Sequence, residues 1–235
     1  LIRGTKEGAG RVVLVRAVPN RRVNLGNAND DGYASDSRSI AVAGVLFNGR
    51  VSSDSDPGAC ILVAAPGGEF AAPTLFTTDR AGTLGYNTNT SPMDYTVTNG
   101  VGFFGTSAAA PQIAGIAALI LSANTNLTYR DVQQILIFSA RHLDLADPDL
   151  ATNGAGFRVS HNVGFGIPDA AFAVNLARNW SNRPALANIH FLATNFATIL
   201  DDGLRVLIPG VATNAASPGT GLHCDVSTAS LPLVD

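Results

Sequence analysis

One serine stands at the mouth of an apolar segment. In F-G-T-S-A-A-A-P-Q-I-A-G-I-A-A-L-I-L, Phe104 to Leu121, Ser107 opens a stretch without a single charged residue. A hydroxyl placed so does one of two jobs. It caps a helix by accepting from a free backbone N–H, a role for which Thr106 competes, or it is a nucleophile. The second job asks for a glycine before the serine, so that a substrate backbone can pass. It also asks for small residues after it, so that the helix end can sit against other chain segments. Gly105 and Ala108 to Ala110 supply both. A helix dipole and unpaired N–H groups favour the negative charge of a tetrahedral intermediate. Ala109 excludes the G-x-S-x-G nucleophile elbow. A nucleophilic serine needs a base, and the four histidines, His142, His161, His190 and His223, all follow it in the chain.

Short strands and helices must position this serine. Arg11 to Ala17, Ser39 to Leu46 and Cys60 to Ala65 are apolar runs bounded by turn residues, the pattern of buried strands in a parallel sheet. Phe70 to Asp79 and Tyr95 to Gly102 read as weaker strands or a hairpin-like excursion. A helix over about Ser107 to Ser122 is apolar nearly all round and hence expected to be buried. Pro111 fits within its first turns, where backbone N–H groups lack an internal partner. A second helix starts at Thr128, with Asp131 completing a variant capping box and Val132, Ile135, Leu136 and Ser139 forming its inner face. A third begins at Pro168-Asp169 and runs to Trp180. Strands followed by packed helices give an α/β fold whose sheet is expected to continue upstream of Leu1. From Ser181 the helical period is lost, so residues 181–235 read as a linker and the start of a β-rich module.

The composition, 46% hydrophobic and 14% charged with 24 glycines over 235 residues, describes a globular chain with a substantial core. The net charge is −3 and the longest basic cluster is Arg21-Arg22, so no nucleic-acid partner is expected. The longest apolar run, Ile113 to Leu121, is broken by Gly115 and falls short of the ~18 residues of a membrane helix. No membrane partner is expected. Cys60 and Cys224 cannot build a disulfide framework and are read as free thiols. With Leu1 first and Met93 the only methionine, the chain is expected to be a processed product or a fragment.

G-T-S-A-A-A-P-Q-I-A-G-I-A-A-L-I-L-S-A-N resembles the serine block of subtilisin-like proteases. N-L-T-Y-R-D-V-Q and A-T-N-G-A-G-F-R-V-S-H-N-V-G-F-G-I-P-D-A narrow the resemblance to the kexin/furin-like proprotein convertases, over roughly Arg11 to Trp180. The resemblance implies a subtilisin-like three-layer fold with a mostly parallel sheet, incomplete here. Residues 1–180 would be the C-terminal part of the peptidase domain, and 181–235 the start of a P-domain-like module. It implies a serine endopeptidase acting on a peptide or protein substrate, secreted or membrane-associated in its full-length form.

Site residues carry over one by one. Ser107 matches the nucleophile. Asn20, in V-R-A-V-P-N, matches the oxyanion asparagine; in isolation it is a turn residue after a strand. Asp31, in D-D-G-Y, matches an acidic residue of the S1 pocket that would pair with a P1 arginine or lysine; otherwise it is a turn aspartate before glycine. Asp56, in D-S-D-P-G-A-C, matches an acidic calcium ligand, while another ligand position falls at Gly26; otherwise it belongs to a plain loop. Calcium is the one cofactor implied. The family's triad aspartate and histidine, in D-x-G and H-G-T contexts, precede the asparagine. None of the four histidines here takes that place, so the partner required is the N-terminal part of the catalytic domain. The alternative is a pseudoprotease or binding module on the same scaffold. The convertases also pair a cysteine before Asp31 with one near Cys60, and Asn20 to Asp31 contains none.

Overall fold

The computed structural model describes residues 12–70, 73–88, 91–96 and 102–183. The chain divides into two units, Leu1–Arg183 and Pro184–Asp235. The expected linker and β-rich module, with His190, His223 and Cys224, lie outside the described residues.

Three parallel strands form the sheet, in the order β1 (Leu14–Ala17), β2 (Ser39–Val45) and β3 (Ile61–Pro66). Leu14 pairs with Ser39, and Ala41 with Ile61, with a register shift between Ala41 and Val42. The central strand S-I-A-V-A-G-V is buried at every position, as a strand covered on both faces must be. Its alternation splits the core in two. Ile40 and Val42 face a helical layer, together with Val63 and Ala65. Ala41, Ala43 and Val45 face a layer of turns and loops that contributes Val18, Ala28, Ala34 and Val163.

The helical layer consists of α1 (Thr106–Ala123), α2 (Tyr129–Ser139) and α3 (Ala170–Arg178). Ile113, Ala117 and Ile120 of α1 are buried against the sheet and against Val132, Ile135 and Leu136 of α2 and Ala173 and Ala177 of α3. The α2 capping box is complete, with Thr128 and Asp131 each accepting from the other's backbone N–H. Asp131 is buried and also accepts from Trp180 Nε1 at 3.0 Å and from the Arg183 N–H at 2.9 Å, tying α2 to the residues after α3. Asp169 caps α3 by accepting from the Phe172 N–H.

Burial of α1 departs from the all-round burial expected. With 18 residues it is long and apolar enough to cross a membrane by composition alone, yet its buried stripe is seated on the sheet. Ala114, Gly115, Ala118 and Leu119 on the far side are exposed, because no described residue covers them. The sheet is asymmetric too. On the outer edge of β3, Phe165 donates to Leu62 and Ala64 donates to Gly166, both at 2.9 Å. Gly164 makes this possible: its φ is +59°, and a Cβ there would lie 2.4 Å from the Leu62 carbonyl oxygen. The outer edge of β1 has no strand partner among the described residues.

Short two-residue pairings, β4 (Ala140–Arg141) with β7 (Ile167–Pro168) and β5 (Ala151–Thr152) with β6 (Arg158–Val159), are antiparallel. Between β3 and α1 the chain makes the expected excursion, held by bridges Leu75–Phe103 and Thr78–Tyr95 rather than by full strands.

Candidate active site

The C-terminal ends of parallel strands are where a doubly covered sheet opens a crevice. Two of them meet α1 here. β1 runs into Val18-Pro19-Asn20, and β3 into Gly67, whose carbonyl accepts from the Gly105 N–H at 2.9 Å. Gly105 is the N-cap of α1, with φ +89°, and no side chain caps the helix. The capping role is thus taken by neither Thr106 nor Ser107. A Cβ at Gly105 would sit 3.3 Å from Asn20 Oδ1 and 3.5 Å from Asn20 Nδ2, so a side chain there would crowd the asparagine.

Thr106 and Ser107, the first two helical residues, have opposite fates. Thr106 is fully buried. Its N–H donates to Asn20 Oδ1 at 3.1 Å, and its hydroxyl donates to the Val18 carbonyl and lies 3.1 Å from the same Oδ1. The bond from the Thr106 N–H fixes the asparagine's oxygen, and no described group accepts from its amide N–H₂. Ser107 is exposed, and no described group hydrogen-bonds its hydroxyl or its backbone N–H. The structure therefore brings the nucleophile candidate and the oxyanion candidate together through Thr106, a residue considered from sequence only as a competing cap.

Asp31 sits at the end of the same loop. Arg16 NH2 donates to its Oδ2 at 2.8 Å, and Tyr33 and Ala34 donate backbone N–H groups to Oδ1 at 2.9 and 3.0 Å. The Arg16 hydrogen bond first, and the Ala34 N–H next, lower its pKa to about 2. It is ionised and already paired, and no bond joins it to Asn20 or Ser107.

Asp56 is fully buried. Its N–H donates to the Pro19 carbonyl at 3.0 Å, and its Oδ1 accepts from the Arg21 N–H at 2.6 Å. Its Oδ2 has no hydrogen-bond partner and lies 3.7 Å from Arg21 Nε. A Cβ at Gly26 would fall 2.3 Å from that oxygen. The described residues alone do not fit calcium: a hard cation asks for six to eight oxygens, no three His, Cys, Asp or Glu side chains among them group to hold a metal, and the Arg21 guanidinium stands beside the free oxygen.

The described histidines stand in other settings. His142 follows β4, its Nε2 lies 3.1 Å from the Arg158 carbonyl oxygen, and burial lowers its pKa. His161 pairs with Asp149, Nδ1 lying 3.0 Å from Oδ2. Cys60 is a free thiol whose pKa burial raises, the opposite of an activated nucleophile.

Residues 2–166 match the Subtilase family of peptidases, and the chain belongs to that family. Its sequence is similar to those of furin-like proprotein convertases. It is 37% identical over 186 residues to Furin-like protease 1, isoform 1-CRR, of Drosophila melanogaster, covering 78% of this chain and 16% of that protein. It is 35% identical over 184 residues to proprotein convertase subtilisin/kexin type 7 of Mus musculus, covering 78% and 22%. Among solved structures, the serine protease of Aeromonas sobria superposes with a TM-score of 0.67 at 27% identity, over 80% of this chain and 41% of that one. The same protease in complex with a chaperone gives 0.64 at 29% identity, over 76% and 36%. The chain thus spans about a fifth of the length of the curated relatives it matches.

Proposed function

We propose that the full-length protein is a serine endopeptidase in which Ser107 is the nucleophile. Its Oγ attacks the scissile carbonyl carbon while a histidine takes the hydroxyl proton and later returns it to the leaving amine. The carbonyl oxygen becomes an anion held by the Asn20 amide and the Ser107 backbone N–H. Supporting this reading above all is the Asn20–Thr106 hydrogen bond, which leaves one amide donor, one backbone donor and one hydroxyl free at the same helix end.

The histidine and its aspartate are supplied by the N-terminal part of the catalytic domain, outside these 235 residues. Two features support that assignment: the outer edge of β1, which has no strand partner among the described residues, and the side of α1 that no described residue covers. Without that part the chain is catalytically silent. Asp31, ionised at any working pH, favours a basic residue at P1, with Arg16 giving up or sharing the carboxylate. Furin-like relatives and a chaperone-bound structural neighbour support peptide or protein partners.

The test is hydrolysis of fluorogenic peptides by the full-length protein, together with labelling by a serine-directed phosphonate. Cleavage and labelling are expected, and Ser107→Ala should lower turnover about 10⁶-fold, as nucleophile loss does in a subtilisin. Normal turnover by Ser107→Ala would remove the serine from the mechanism. A scaffold without an acid–base pair is the second reading, favoured by the absence of any described histidine at Ser107. Peptide binding with no labelling would establish it.

A further inference from the structure

Asp56 holds the oxyanion loop from both sides of Asn20. Its backbone N–H reaches the carbonyl of Pro19, and its carboxylate accepts the N–H of Arg21. The residues flanking the asparagine are thus fastened to one fully buried aspartate. Neighbouring contacts extend the grip: the Arg22 N–H donates to the Asp54 carbonyl at 3.2 Å, and Arg22 Nε donates to the Ser55 carbonyl. Ser55 Oγ in turn accepts from the Gly44 N–H at 3.1 Å, anchoring the 54–56 segment to the central strand. A buried carboxylate needs compensation. Here the Arg21 N–H donates to one oxygen, and the Arg21 guanidinium lies 3.7 Å from the other, which accepts no hydrogen bond.

We infer that Asp56 is a positioning residue for the oxyanion donor Asn20, with Arg21 standing where a calcium ion would otherwise neutralise it. The inference rests on the reading of Asn20 as that donor. Asn20 can donate to a developing anion only if its Cα is fixed while Thr106 fixes its Oδ1. The geometry divides those tasks between Asp56 on the main chain and Thr106 on the side chain.

A double-mutant cycle on the full-length protein tests this, with turnover counted per phosphonate-titrated site. Asp56→Ala should lower kcat about tenfold or more and leave KM within about twofold, the pattern of an interaction expressed in the transition state. In an Asn20→Ala background the same change should cost less than about twofold, because two members of one unit do not add. Asp56→Asn keeps an acceptor for the Arg21 N–H and should stay within about threefold of wild type. If Asp56→Ala does not fold, Asp56→Ser, too short to reach that N–H, takes its place in the cycle. Multiplicative losses in the double mutant would overturn the inference. So would the loss of one bound calcium ion per molecule in Asp56→Asn, measured by calorimetric titration with calcium chloride. Unchanged kcat in Asn20→Ala alone would instead overturn the oxyanion reading beneath it.

Discussion

Two segments lead to the helix that begins at Thr106, and they are built on opposite plans. Val18 to Asp31 comes off β1 and is fastened to the rest of the fold: to β2 through Val18, to the 54–57 segment through Pro19, Arg21, Arg22 and Ala28, and to α1 through Asn20. Among the described residues of Phe70 to Phe104, which follows β3, the backbone pairings join the segment to itself. Leu75 pairs with Phe103, Thr77 with Thr96 and Asp79 with Asp94, while Phe70, Phe76 and Tyr86 are exposed. Near-equivalent entry points to one helix therefore differ in how much of the fold depends on them. The first segment can hold a donor at a fixed place because any displacement breaks bonds to three neighbours. The second can shift while its own pairing stays intact.

The largest effect that would sharpen this contrast comes from Asn20→Ala. Removing one preorganised oxyanion donor costs about 10²–10³ in kcat, or ~2.7–4 kcal/mol, a range measured in a subtilisin and so a family value for this position. Steady-state kinetics should show the loss in kcat with KM nearly unchanged. A loss confined to KM would mean that the asparagine binds ground-state substrate and that the rigidity of its loop serves something other than the anion.

Thr106→Val tests the same segment from the helix side. The isosteric change keeps the backbone N–H bond to Asn20 and deletes the hydroxyl, leaving the buried Val18 carbonyl without that partner. A stability loss of about 1–3 kcal/mol is expected from the orphaned acceptor. A smaller fall in kcat than in Asn20→Ala should accompany it, since the main-chain bond survives. Urea unfolding and kinetics on the same preparation separate the two. A fall in kcat equal to that of Asn20→Ala would make the hydroxyl, not the backbone, the anchor.

How much of this was legible in the residues depends on the distance over which each feature acts. β2 could be read from its own valines and alanines, because a doubly covered strand is apolar at successive positions. The α2 capping box could be read because Thr128 and Asp131 are three residues apart. Asn20 and Thr106 lie 86 positions apart, and Asp56 and Arg21 lie 35 apart. No local pattern encodes such pairings, so the site came from resemblance and its wiring only from coordinates. The apolar composition of α1 was read as burial, yet composition does not say which segment covers a face.

At the far end of the fixed segment, Arg16→Ala makes a smaller change with a definite pH signature. Asp31 has a folded pKa of about 2, below the ordinary carboxylate value of about 3.9 in an unfolded chain. A depressed pKa contributes stability that is present above pH ~4 and lost as pH falls towards 2. Removing Arg16 deletes the largest cause of the depression, so the Asp31 pKa should rise and part of the stability present above pH ~4 should disappear. Because the Arg16 side chain is 43% exposed, the contribution at neutral pH stays within ~1 kcal/mol. Denaturation midpoints at pH 3 and pH 7 should lie closer together in the variant than in the wild type, because its deficit is at neutral pH. If basic P1 selection uses Asp31, freeing it from Arg16 should also lower KM for arginine at P1, a gain the fixed loop otherwise suppresses.

The smallest expected effect belongs to the other segment. Phe76 and Tyr95 stack with centroids 5.2 Å apart and planes 9° from parallel, beside the bridge that Tyr95 makes with Thr78. Such a pair contributes about 0.5–1.5 kcal/mol beyond its buried area, and exposure places this one near the lower limit, since Phe76 is 61% and Tyr95 40% accessible. Phe76→Ala should therefore lower stability by less than ~1 kcal/mol and leave kcat within about twofold. The Leu75–Phe103 pairing, which lies closer to α1, does not pass through the Phe76 side chain, so the approach to Gly105 should keep its course. A tenfold fall in kcat with stability intact would break the contrast between the two segments. The exposed ring would then be touching substrate, and the excursion would belong to the catalytic surface as fully as the loop that carries Asn20.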